Sequence, residues 1–231
     1  MTAPQSRSLR FVRRLCGFAA LLLVAFVIGW LAARPRVPDA FYNSTVGLPN
    51  KPGVLLREEA FDRKVPAGAR AWRILYTTTR GDGSQALASG IVMVSTQAQA
   101  DPRPVIAWTH GTTGVVEGCA PSVIADPFAN VPAVQPLLDK GWIFVATDYA
   151  GQGTTGPHAY LIGEDEARAE LDAIRAARQL KGIRPGNSTV VWGHSQGGMR
   201  RCGPRSLRRP TRPMFRWPEL PRSRLPATCG R

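Results

Sequence analysis

The run Thr189-Val190-Val191-Trp192 leading directly into Gly193-His194-Ser195-Gln196-Gly197-Gly198 constrains this chain more than any other stretch. Residues 188–192 are too continuously apolar for a strand with one wet face, and they read as a buried strand. G-x-S-x-G alone is a common pattern and carries little information. At the end of such a strand it predicts a strained strand-to-helix turn that holds a serine hydroxyl above the sheet. The glycines two residues to either side leave room for the backbone to reverse. The competing reading, a glycine-rich turn with an ordinary serine, does not require the order of elements that precedes it.

That order is legible upstream. Residues 71–79 (Ala-Trp-Arg-Ile-Leu-Tyr-Thr-Thr-Thr) and 90–94 (Gly-Ile-Val-Met-Val), joined across Gly81-Asp82-Gly83, predict an antiparallel hairpin. Residues 105–109 and 142–147 are apolar on both alternating faces and predict buried strands, with a short helix over 134–140 between them, closed by Gly141. From 164 to 181, Ala167, Leu171, Ile174 and Ala177 share one helical face. Glu164, Asp165 and Glu166 open that helix and Arg175, Arg178 and Lys181 close it, the signs its macrodipole favours. Strands alternating with helices predict an α/β class, a mostly parallel sheet with helices on both faces. A dinucleotide-binding fold would need a glycine fingerprint after its first strand, and none stands there. Residues 37–70, rich in proline, glycine and charge without a period, read as a connecting arm, so the domain proper is taken as 71–199.

A net charge of +14 would point to nucleic acid or an anionic surface if it were spread over the fold. It is not. Residues 1–36 hold six arginines and no acid, residues 200–231 hold ten arginines and one glutamate, and the segment between holds 14 basic against 15 acidic residues. No nucleic-acid partner is expected. Arg7, Arg10, Arg13 and Arg14 precede 19 uncharged residues, 15–33, which are followed by Arg34-Pro35-Arg36. A cleaved signal has an apolar core of about 7 to 15 residues and a spanning helix needs about 20. Residues 1–36 are therefore read as an export signal or, by length, an uncleaved membrane anchor with the domain outside the cytoplasm. Leu31-Ala32-Ala33 leaves cleavage open. Of the four cysteines none forms a C-x-x-C pair. Only Cys119 lies inside the domain, as a buried thiol or as the partner of a later cysteine.

A second motif stands at the end of the earlier strand: Trp108-Thr109-His110-Gly111-Thr112-Thr113-Gly114. Acyl transfer to a serine passes through a tetrahedral oxyanion that needs preset backbone N–H donors. One candidate is the N–H of Gln196, and the other an N–H of this loop, Thr112 first with Gly111 beside it. His110 reads as a loop-shaping residue, Asp148 as a turn stabiliser and Tyr149 as a packing residue. His158 and His194 are local features, His194 being too near Ser195 in sequence to face it as a base.

Taken with Cys119-Ala120-Pro121-Ser122, Asp148-Tyr149-Ala150-Gly151-Gln152-Gly153 and Gly156-Pro157-His158, the two motifs resemble the secretory lipase family of α/β-hydrolases over about residues 40–199. The resemblance implies the N-terminal half of an α/β-hydrolase fold, preceded by an N-terminal hydrophobic helix. It implies an exported serine esterase or lipase acting on small-molecule or lipid esters, with no metal or organic cofactor. Ser195 takes the nucleophile's role, Gln196, Thr112 and Gly111 the oxyanion hole's, and Gly193, His194 and Gly197 the elbow's. In this family the triad follows the order Ser, Asp or Glu, His. Only 36 residues follow Ser195, with no His, no Asp and one acid, Glu219. Ten arginines and six prolines in residues 200–231 are what a GC-rich gene read out of frame after about residue 199 would give. A genuine basic tail is the alternative, and either tail is expected to be disordered. The expectation is a poorly folding chain that lacks the triad Asp and His and is inactive, or a binding-only remnant.

Overall fold

With neither proline nor charge between residues 15 and 33, nothing interrupts a helix there, and a computed structural model shows one, α1 (Gln5–Ala32). The structure describes residues 5–44, 47–97 and 101–202; the readings attached to the tail beyond residue 202 lie outside it. Residues Leu9–Ala32 of α1 are long and apolar enough to cross a membrane, and their large side chains are exposed throughout. At the end of α1 the Arg34 guanidinium sits 3.7 Å over the Trp30 ring. This helix belongs to a unit of its own, Met1–Pro35, and the remaining elements form a second unit.

The second unit is organised by six strands: β1 (Leu55–Phe61), β2 (Ala69–Thr79), β3 (Gln85–Ser95), β4 (Arg103–Thr109), β5 (Ile143–Ala150) and β6 (Pro185–Gly193). They form one sheet in the order β1-β2-β3-β5-β4-β6. The expected hairpin is β2–β3, in register from Thr79 opposite Gln85 to Ala69 opposite Ser95. The sheet is mixed rather than mostly parallel: β1–β2, β2–β3 and β3–β5 run antiparallel, β4–β5 and β4–β6 parallel. Part of the difference is β1, which lies in the stretch read as an arm. Its centre, Arg57-Glu58-Glu59-Ala60, is exposed and only Phe61 is buried. Charge on an outer strand guards an open edge against unwanted pairing, and the same charge hid the strand from an apolar pattern.

Alternation along β4 and β5 sends their side chains to two layers. Val105, Ala107, Ile143 and Val145 join the cluster beneath α3 (Gly163–Ala177). Ile106, Trp108, Phe144 and Ala146 join the opposite cluster, with Phe128 and with Leu138 of α2 (Val134–Asp139).

In α3 the expected apolar face is only half right. Ile174 and Ala177 are buried, but Ala167 and Leu171 are half-buried, whereas Glu166, Ala169, Glu170, Asp172, Ala173 and Ala176 are buried. Alanines let the helix lie close against the sheet, and the sheet supplies hydrogen-bond donors to the Ala169 carbonyl and to Asp172. Tyr76 Oη of β2 donates to the Ala169 carbonyl at 2.9 Å and meets Thr147 Oγ1 at 2.7 Å, while Thr78 Oγ1 donates to Asp172 at 2.8 Å. At the other edge, β6 pairs only with β4 among the described residues, so Val190, Val191 and Trp192 are half-buried rather than buried.

The Tyr76 hydroxyl is a fully buried tie between sheet and helix. Tyr76→Phe should lower stability by about 1–2 kcal/mol, read as a lower urea midpoint at unchanged m-value.

Candidate active site

The parallel register of β4 and β6 sets Thr109 opposite Gly193, so the segments leaving both strands start side by side. The chain leaves β4 for β5 on one side and returns past it to β6 on the other. Such a reversal opens a crevice at the carboxyl ends of the strands, where α/β sheets meet their ligands.

The turn after β6 is tight because it is pressed onto the end of β4. His194 N–H donates to the Thr109 carbonyl at 3.2 Å and Gly197 N–H to the His194 carbonyl at 3.0 Å. Thr109 Oγ1 donates to the Gly197 carbonyl at 3.2 Å. A Cβ on Gly193 would stand 2.3 Å from the Gly197 oxygen, and one on Gly197 would stand 2.2 Å from the Thr109 oxygen. Both glycines are thus required by a neighbouring backbone. Ser195, between them, carries the strain: its φ is 50°, left-handed for a residue with a side chain, and it is exposed as it opens a short 3-10 helix, Ser195–Cys202. His194 is exposed beside it, and Gln196 turns its side chain inward to full burial. Gln196 Nε2 donates to Glu166 Oε1 at 2.7 Å, and the same oxygen accepts the Leu161 N–H at 3.2 Å. In the sequence Glu166 stands only as an acid at a helix start, which the macrodipole already explains.

The loop after β4 lies against this turn, since a Cβ on Gly111 would come 2.9 Å from His194 Nδ1 and 3.4 Å from Ser195 Cβ. Three ties from the chain after β5 hold it. Tyr149 Oη donates to the His110 carbonyl at 3.0 Å, Tyr160 Oη meets Thr112 Oγ1 at 3.0 Å, and Gln152 Nε2 donates to the Gly114 carbonyl at 2.6 Å. His110 Nδ1 donates to the Gly111 carbonyl at 2.6 Å, and its ring packs 4.5 Å from that of Tyr149. Burial pulls its pKa down to about 4, so the imidazole is neutral at pH 7. Asp148 is buried and accepts from Ser122 N–H at 2.9 Å, from Ser89 Oγ at 2.6 Å and from Ser122 Oγ. Burial holds its carboxyl above the ordinary range against those bonds. It staples β3 to β5 and to residue 122. His158 Nδ1 donates to the Ala150 carbonyl at 3.2 Å. Among the described residues no hydrogen bond joins an imidazole to Ser195 Oγ.

Residues 128–203 match the model of the family described as secretory lipase. Lipase 5 and Lipase 9 of Candida albicans are 26% and 25% identical over 203 residues, covering 78% of this chain and 42% and 44% of their own lengths. The chain therefore spans less than half the length of these curated relatives. Among solved structures, the rice cell wall degrading esterase LipA from Xanthomonas oryzae is similar with a TM-score of 0.55 and 27% identity, over 65% of this chain and 44% of that one. Candida antarctica lipase A in its closed state shares the fold, with a TM-score of 0.56 at 22% identity, over 70% of this chain and 40% of that one.

Two outcomes follow from this geometry. Gly197→Ala drives a Cβ into the Thr109 carbonyl and should cost about 1–3 kcal/mol or more, with the thermal midpoint falling accordingly. His110 has a folded pKa pulled down by burial to about 4 from the ordinary 6.5, so the unfolded chain binds its proton first and stability is lost as pH falls through that window. Between pH 7 and pH 5 the loss should be about 2 kcal/mol by urea titration, and His110→Asn should remove it.

Proposed function

We propose that this chain, similar to the secretory lipases and built on the α/β-hydrolase fold, carries the nucleophile side of a carboxylic-ester hydrolase, with Ser195 as nucleophile. The observation that supports this most is an exposed serine at positive φ at the carboxyl end of β6, pressed against a glycine loop leaving β4. Ser195 Oγ attacks the ester carbonyl, the alcohol leaves, and water releases the acyl group from the serine. The N–H of Gln196 is one oxyanion donor, and the N–H of Thr112, beside Gly111, is the other. The amides of His194 and Gly197 are committed inside the turn, whereas that of Gln196 has no backbone acceptor among the described residues. Esters of small molecules or lipids are the substrate class, carried over from relatives named as lipases and an esterase.

Serine is a weak nucleophile until an imidazole takes its proton. Neutral His110 is turned to its own loop, His158 is engaged with Ala150, and His194 belongs to the elbow. None of the three histidines of the sequence therefore stands as the general base among the described residues. That observation also supports a second reading, a binding-only module with a basic tail. The arginine-flanked helix α1 is consistent with export; as an uncleaved anchor it would hold the second unit outside the cytoplasm.

The purified 231-residue polypeptide at pH 7.5 should hydrolyse a p-nitrophenyl butyrate less than about a hundredfold faster than Ser195→Ala, because loss of triad function costs on the order of 10⁴ to 10⁶ in rate. At pH 9.5, where hydroxide can accept the serine proton, a p-nitrophenyl alkylphosphonate should label Ser195 selectively, located by peptide mass spectrometry. Labelling spread evenly over other serines would refute the nucleophile assignment. A larger rate ratio at pH 7.5 would show that a base is present after all.

A further inference from the structure

Both donors assigned to the oxyanion hole depend on the chain between β5 and the first turn of α3. Only the backbone N–H of Gln196 is needed by the chemistry, yet its side chain is 1% exposed and ends on a carboxylate that is also 1% exposed. Burying a carboxylate is costly unless specific donors meet it, so this contact has to be accounted for. Glu166 Oε1 accepts from Gln196 Nε2 at 2.7 Å and from the Leu161 N–H at 3.2 Å.

Each of those donors belongs to a stretch that needs holding. Gln196 follows Ser195, whose φ is 50°, and nothing in a left-handed serine keeps the next amide aimed at one point. Anchoring the far end of the Gln196 side chain restricts rotation of its backbone and so fixes the direction of its N–H. Leu161 is itself left-handed, with φ of 62°, and it directly follows Tyr160, whose hydroxyl meets Thr112 Oγ1 at 3.0 Å. One carboxylate oxygen therefore braces the Gln196 donor directly and the Thr112 loop through the Tyr160–Leu161 turn. A carboxylate suits the post because it only accepts and has no amide orientation to choose.

We infer that Glu166 is a positioning residue for the oxyanion donor Gln196, acting through the buried side-chain hydrogen bond between them. The inference rests on Ser195 being the nucleophile. Its test is the rate of phosphonylation of the full 231-residue chain by a p-nitrophenyl alkylphosphonate at pH 9.5. In that step the Ser195 Oγ–P bond forms, the bond from phosphorus to p-nitrophenolate breaks, and the serine proton passes to hydroxide to give water. The phosphoryl oxygen gains charge where the oxyanion would, so the rate reports the donors without an imidazole base.

Glu166→Ala should slow the maximal labelling rate by about tenfold or more, less than the loss of a whole donor, with the half-saturating phosphonate concentration changed less than about threefold. Glu166→Gln keeps an oxygen acceptor and should stay within about threefold of the parent. Gln196→Met keeps the volume and the backbone N–H but removes the bond, and should match Glu166→Ala; it decides the matter if Glu166→Ala does not fold. Parental rates in both Glu166→Ala and Gln196→Met overturn the inference while leaving Ser195 as nucleophile. A Glu166→Gln as slow as Glu166→Ala also overturns it, since the acceptor would then not be what matters. A parent that labels no faster than Ser195→Ala removes the nucleophile assignment and this inference together.

Discussion

Thr109 ends β4 with its carbonyl accepting the His194 N–H and its hydroxyl donating to the Gly197 carbonyl. Two strands far apart in sequence are closed on each other at that point. Everything proposed for the site follows from how near the backbones come: Gly193 and Gly197 have no space for a Cβ, and a Cβ on Gly111 would already touch the side chain of Ser195. A loop and an elbow that each carry one donor can converge on one oxygen only if the strands delivering them are adjacent and parallel, and β4 and β6 are both.

Three of the five left-handed residues that are not glycine among the described residues stand around the crevice. Ser195, Tyr149 and Leu161 are all left-handed without being glycine. Each such residue costs on the order of 1–3 kcal/mol and persists only where surrounding bonds overdetermine it. Those bonds are visible. Tyr149 packs its ring against that of His110 and donates to its carbonyl, Leu161 donates to Glu166, and the turn at Ser195 is held by Thr109 on one side and by the buried side chain of Gln196 on the other. Beneath them the Asp148–Ser89–Ser122 cluster and the Tyr76 ties to Thr147 and Ala169 fasten the loops and α3 to the sheet. Rigid layers of apolar side chains on both faces of β4 and β5 make that overdetermination possible.

Some of this was readable in the chain and some was not, for reasons that differ by residue. Strands β4 and β5 announce themselves because they are buried on both faces, and the β2–β3 hairpin because β-forming residues flank Gly81-Asp82-Gly83. Strand β1 was missed because an edge strand carries its charges outward. The face of α3 was misjudged because alanine and carboxylates, not large apolar residues, fill its contact with the sheet. Gln152 stood inside a motif of the resemblance without a role of its own, and Tyr160 and Glu166 gave no sign of their contacts at the site, since a tyrosine and an acid in a helix's first turn are ordinary where they stand.

The sequence by itself determined the elements that local chemistry controls: the apolar length of α1, the buried strands, and a serine flanked by glycines at the end of one of them. Only the tertiary structure decided that β6 lies beside β4 and not beside β5. It also decided that the side chain of Gln196 ends on Glu166, thirty residues earlier. Strand neighbours and buried hydrogen bonds depend on contacts distant along the chain, and no periodicity within a single segment records them.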